Sequence, residues 1–189
     1  MKNKYSKYIL SFTLTLILVF SFSIDSLAYT LMPYKLNGGV GNWVFSRRYY
    51  WIDSSASGIS TTISNAYNSW INTSHILSTP ISWRQTTAKE SGIVEFYTYR
   101  ASDSANGYTS FWRYSNPVSP YSENWGWCQI YYNSNYTGGQ ATIAHEIGHT
   151  MGLDENNSNS YTIMCQAGSG RRVTTPQYDD LAGINAKYN

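Results

Sequence analysis

The chain has 189 residues, with 13 Lys and Arg against 11 Asp and Glu and a formal net charge of +2. That near-balance leaves no electrostatic footprint for nucleic acid or an anionic membrane surface, and the length suits one compact domain. Three histidines and two cysteines leave few ways to build a metal or redox centre.

Lys2, Lys4 and Lys7 precede an apolar run from Ile9 to Ile24, and Ser26-Leu27-Ala28 offers the small residues that a signal peptidase reads. The pattern predicts a secretory signal over 1–28, cut after Ala28. The run falls short of the ~20 apolar residues of a spanning helix, which argues against a lasting membrane anchor. The signal takes three lysines and Asp25 with it, so the chain from Tyr29 to Asn189 is formally neutral. It is expected to act as a secreted, monomeric single domain. An oxidising compartment permits a Cys128–Cys165 disulfide, but sequence alone does not bring the two Cα atoms into range, and free thiols stay equally open.

Along the mature chain, Asn37-Gly38-Gly39 reads as a turn. Trp43-Val44-Phe45, Arg47, Tyr50, Trp51 and Ile52 favour strand by their aromatic and β-branched content. Ser54 to Ser57 offer helix caps, and Ile59, Ile63, Ala66, Tyr67, Trp70 and Ile71 recur at helical spacing, predicting a helix from Gly58 to Ile71. His75 falls in a polar loop and is expected to be solvated. Ile81 to Arg84 and Ile93 to Tyr99 read as strands. Asp103 to Gly107 reads as a plain turn with little acid, so calcium is left open but unsupported. Tyr108 to Arg113 and Trp127 to Tyr132 are two more strands, separated by a loop through Pro117 and Pro120. These elements predict an α+β domain, a twisted mixed sheet of about five strands carrying three helices.

The chemistry gathers on the next helix, expected from Gly138 to Gly152 with Thr137 as its cap and Gln140 in capping-box spacing. His145 and His149 stand four apart, on one helical face, where two imidazoles can grip one ion. Glu146 is placed to act on a metal-bound water without being a ligand. Gly152 tolerates the left-handed backbone of a helix end. Past that turn Glu155 can swing back as a third ligand, with Asp154 the nearest substitute. A last helix is expected with Thr174 or Thr175 as cap and Pro176 at its first position, burying Leu181, Ile184, Ala186 and Tyr188.

His145-Glu146-x-x-His149-x-x-Gly152, with Glu155 three residues on, resembles the metzincin zinc metallopeptidases, and Ile143 to His149 most resembles matrixins. Tyr161-Thr162-Ile163-Met164 is similar to the family's Met-turn, and Thr175 to Asn185 to its C-terminal helix. The resemblance implies a zincin-like fold, zinc held by His145, His149 and residue 155, and Glu146 as general base for a zinc-activated water. It implies protein or peptide substrates lying along the strand near Tyr108 to Trp112. Glu155 stands where the family usually has His or Asp, and Gln166 where astacin-like and serralysin-like members have Tyr, so no tyrosine ligand is expected. Two other readings stay open: a zinc hydrolase of this fold acting on a non-peptide substrate, and a secreted binding protein that has lost activity.

Overall fold

The computed structural model describes residues 29–41, 48–102, 105–136 and 139–189. The expected signal segment, Trp43 to Phe45, Arg47, Asp103 and the Thr137 cap lie outside the described residues. In chain order the elements are β1 (Arg48–Ile52), α1 (Ser60–Ile71), β2 (Trp83–Thr86), β3 (Val94–Tyr99), β4 (Gly107–Arg113), β5 (Asn116–Val118), β6 (Trp127–Asn133), α2 (Gly139–Thr150) and α3 (Tyr178–Tyr188). No helix among the described residues is long and apolar enough to cross a membrane.

The strands form one mixed sheet in the order β2-β1-β3-β6-β4-β5. The first four run parallel, while β4 is antiparallel to β6 and β5 antiparallel to β4. The sheet thus has six strands rather than about five. The extra one, β5, lies in the stretch expected as a loop around Pro117. A two-residue reversal at Tyr114-Ser115, with Tyr114 at φ 54°, returns the chain along Phe111 to Arg113. Pro117 lacks an N–H, which an outermost strand tolerates.

The α1 helix begins at Ser60, two residues later than expected, after a 3-10 turn over Ser54–Ile59. The cap of that turn is Asp53 rather than a serine, with the Ser55 N–H donating to Asp53 Oδ1 at 2.8 Å. Asp53 leaves β1 already extended, as a capping residue must be, and its carboxylate is a strong acceptor. Ile63, Ala66, Tyr67 and Trp70 are buried from α1. Tyr67 stacks on Tyr50 with centroids 3.8 Å apart and meets Phe96 edge-on. Each such ring, removed from water, contributes on the order of 3 kcal/mol.

The α2 helix packs against α1, and two indoles fix its backbone. Trp70 Nε1 donates to the Ala144 carbonyl at 2.9 Å, and Trp125 Nε1 donates to the Thr150 carbonyl at 3.1 Å. The second bond satisfies a carbonyl that a helix end leaves without a partner. All four residues expected on the buried stripe of α2 and its last turn, Ala144, Ile147, Gly148 and Met151, are buried. Gly148 is there for contact: a Cβ would collide with Met164 Sδ.

The α3 helix corrects the expected cap. Gln177 caps it, reciprocally with Asp180, and Pro176 precedes the helix instead of opening it. The reason is Asp180, which is buried and accepts from the Gln177 N–H at 2.7 Å, the Ile163 N–H at 3.0 Å and the Thr162 hydroxyl. Its tie to the 162–164 turn sets the helix register, and the residue three before it becomes the cap. Of the expected apolar side, Ala186 is exposed. Cys128 and Cys165 are both buried and free, so the permitted disulfide is not formed, and burial pushes both thiols up.

Asp180→Ala strands several buried donors and should lower the unfolding free energy by about 2–4 kcal/mol in urea titrations. Asp179→Ala, which loses one bond to Asn159, should cost under about 1 kcal/mol by the same measurement.

Candidate metal centre

Two imidazoles one helical turn apart need their tautomers fixed before they can serve as ligands. His145 Nδ1 lies 2.9 Å from the Ile163 carbonyl and His149 Nδ1 lies 2.9 Å from the Leu153 carbonyl. A carbonyl only accepts, so each Nδ1 carries the hydrogen and each Nε2 turns inward as a lone-pair donor. The two Nε2 atoms stand 3.1 Å apart. His145 is buried, and 12% of the His149 side chain is exposed.

The third donor comes from the end of α2. Leu153 N–H bonds to the Gly148 carbonyl and Gly152 N–H to the His149 carbonyl, the paired bonds of a Schellman turn, with Gly152 at φ 85°. The same turn places the Leu153 carbonyl under His149. The first described residues hold the outgoing segment through an isolated bridge: Met32 N–H bonds to the Gly152 carbonyl and Asp154 N–H to the Thr30 carbonyl. Glu155 Oε1 then lies 3.4 Å from each histidine Nε2.

Separations of 3.1, 3.4 and 3.4 Å make a nearly equilateral donor triangle. Donors at about 2.0–2.1 Å from a tetrahedral ion stand about 3.3–3.4 Å apart, so the triangle fits one small divalent ion. Glu155 Oε2 is buried and has no hydrogen-bond partner. Two imidazoles and a carboxylate are a borderline donor set suited to first-row metals. Among the described residues, His145, His149 and Glu155 form the group that can hold a metal. His75 is exposed in its loop and takes no part, and neither cysteine does.

Asp154 and Glu155 differ in their partners. Asp154 Oδ1 accepts from the Glu155 N–H at 2.8 Å and from the Tyr121 hydroxyl at 2.7 Å, which turns it away from the histidines. Glu155 Oε1 accepts from Gln166 Nε2 at 3.0 Å, and Asn157 grips Gln166 through two bonds. Such outer partners orient a ligating carboxylate. Met164, 2% exposed, packs beneath Gly148, between the two histidines in sequence.

Glu146 lines the same cleft as the donors and reaches β4. It is buried, and its Oε2 accepts from the Thr109 hydroxyl at 2.7 Å. Because β5 pairs with Phe111 to Arg113 alone, the Gly107 to Ser110 half of β4 keeps an open edge. β4, the strand expected to line the substrate, is therefore at the sheet's edge for about half its length. A cleft of about 580 Å³ runs between this edge and the loop after Met164, and includes His145, Glu146 and Glu155 in its wall. A second hollow of about 710 Å³, bounded by Lys89, Glu95 and Trp127, shares no residue with it. Thr109 and Tyr121 had no motif to mark them, and Gln166 was marked only as a position without a tyrosine ligand, not as the partner of Glu155. Strand alternation puts Thr109 on the inner face with Phe111, but the helix it meets there is a tertiary fact.

Burial raises the Glu155 carboxyl, but the two imidazoles outweigh it and bring it down to about 2. Burial lowers His149, but hydrogen bonding to Glu155 and the charges of Glu146 and Glu155 outweigh it and lift the imidazole to about 9. A metal must displace that proton, so affinity should climb about tenfold per pH unit up to about pH 9 instead of levelling near 6.5. Competition titrations at pH 6, 7 and 8 check this. Glu155→Gln should weaken binding and move the plateau back toward 6.5. Gly152→Ala forces an L residue into a left-handed φ at about 1–2 kcal/mol and shifts Glu155, so it should also weaken metal binding. No family model and no curated protein matches this chain, which leaves the site's own geometry to carry its interpretation.

Proposed function

We propose that the chain is a secreted zinc endopeptidase of metzincin, matrixin-like type. The observation that carries the reading is the donor triangle of His145, His149 and Glu155 with the Glu146 carboxylate beside it in a cleft bordered by an open strand edge. The order helix, glycine turn, third donor and buried Met164, closed by a C-terminal helix, supports a zincin-like fold. Zinc, when bound, supplies Lewis acidity and a coordinated water acidified toward a pKa of ~7.

The chain's own groups do the rest. Glu146 takes the proton of the attacking water and returns it to the departing amine, as a general base that becomes a general acid. Thr109 holds Oε2, which leaves Oε1 for that proton. A peptide in extended form pairs with the free edge of Gly107 to Ser110, and backbone hydrogen bonds align its scissile carbonyl. A Cβ at position 107 would stand 3.0 Å from the Tyr131 carbonyl and 3.5 Å from Glu146 Cγ, so glycine keeps this rim low. A binding protein without catalysis has no use for a buried carboxylate at 146.

The test uses the zinc-loaded chain from Tyr29 onward on a denatured protein substrate. Cleavage should stop with a chelator and return with zinc. Glu146→Gln should retain the metal, by elemental analysis, and lose about 10²–10⁴ in kcat. Equal cleavage by wild type and mutant ends the peptidase reading. Thr109→Val should lower kcat by about tenfold with KM little changed, since it removes a bond that orients the base.

A further inference from the structure

The cleft wall facing β4 has an unusual make-up. It consists of Gln166, Ala167, Gly168, Ser169 and Arg171, and across from it stand Ala105, Asn106 and Gly107. Among the described residues no side chain larger than alanine contributes apolar surface beside the histidines, the carboxylates and Thr142, so this wall offers little to a large hydrophobic residue, which pockets usually bind through apolar walls. Among the described residues Arg171 is its one permanent cation.

The backbone aims that cation. A short 3-10 turn over Ala167–Ser169 ends at Gly170, φ 90°, whose N–H bonds to the Ala167 carbonyl. The next residues then diverge. Arg172 is anchored outward, its N–H on the Ser160 carbonyl and its guanidinium bonded to the Tyr161 hydroxyl and lying over that ring. Arg171 turns into the cleft, half-buried. Its Nη1 donates to the Ile163 and Cys165 carbonyls at 3.4 and 3.3 Å, and no carboxylate lies within ion-pair distance among the described residues. The Ile163 carbonyl is the one that also holds His145. A guanidinium has five donors in a planar fork, so two weak bonds from one nitrogen leave most of its capacity directed at whatever enters. Glu146 and Glu155 lie near enough to act on its charge, but both belong to the proposed chemistry.

We infer that Arg171 is a specificity residue that selects a substrate carboxylate, an Asp or Glu side chain adjacent to the scissile bond, within the peptidase reading on which this inference rests. A carboxylate matches the guanidinium fork bidentately and replaces the charge partner that the protein does not supply. A charge-assisted bond of this kind is worth about tenfold to a hundredfold in kcat/KM.

The experiment uses zinc-loaded chain from Tyr29 onward and matched peptides that differ only in Glu, Gln or Lys at each position flanking the cleaved bond. Wild type should favour Glu over Gln by about tenfold or more at one flanking position. Arg171→Gln should erase that preference, Arg171→Glu should turn it toward Lys, and Arg171→Lys should keep a reduced form of it. Arg172→Gln should match wild type. Equilibrium binding of the Glu and Gln peptides to the Glu146→Gln protein gives a readout without turnover, and the same ordering should appear in Kd. Cleavage without a Glu preference, or a preference that survives Arg171→Gln, overturns the inference and leaves the peptidase reading intact. If no peptide is cleaved, the peptidase reading fails. Equal Kd for the Glu and Gln peptides then overturns the inference as well.

Discussion

The geometry of the candidate metal centre depends on one backbone reversal. A helix can present two imidazoles to one point, but the next residues along its axis move away at 1.5 Å per step, and a third donor has to come back. Gly152 brings it back: at φ 85° it closes the end of α2 and turns the chain across the open side of the histidines. Two results follow from that single conformation. The Leu153 carbonyl reaches His149 Nδ1 and fixes its tautomer, and Glu155 arrives 3.4 Å from both Nε2 atoms. The ring orientation and the third donor are thus consequences of the same turn.

The packing around this turn is arranged to hold α2 rather than merely to cover it. Trp70 and Trp125 each place a large ring in the core and spend their one polar atom on a carbonyl of α2, at Ala144 and Thr150. Met164 fills the space that Gly148 leaves open. Below it, Asp180 joins the 162–164 turn to α3, and the Ile163 carbonyl joins that turn to His145. A flexible thioether suits a floor of irregular shape between a helix and a turn. The rigid groups hold the middle and the end of the helix, and the adaptable one packs against Gly148.

Much of this arrangement was legible in the sequence because it is local. The four-residue spacing of His145 and His149, the glycine at 152 and the apolar stripe of α2 are periodicity and backbone conformation, which neighbouring residues dictate. The strands read correctly where alternation and aromatic content were strong, as in β3, β4 and β6. What failed depends on contacts distant in sequence. The caps of the 3-10 turn and of α3 went to Asp53 and Gln177, because an existing strand and a buried Asp180 decided them. The pairing of β5 needed a non-glycine reversal at Tyr114 that nothing in Asn116-Pro117-Val118 announces. Thr109, Tyr121 and Gln166 became legible when α2 and its loop were placed beside them. The cysteines illustrate the same limit, since spacing could not decide a bridge that the fold leaves unmade.

The stitching of Thr30 and Met32 to the Gly152–Asp154 segment has a kinetic side. Met32 is also held from the far end of the chain, where Lys187 Nζ donates to its carbonyl across a separation of 155 residues. The segment that delivers Glu155 is therefore clasped between the first described residues and the last helix. Closing so long a loop is entropically slow, and proteins dominated by such distant pairings order late. The donor set is completed when the two ends of the domain meet, which makes a fully formed ion site a mark of a fully formed protein.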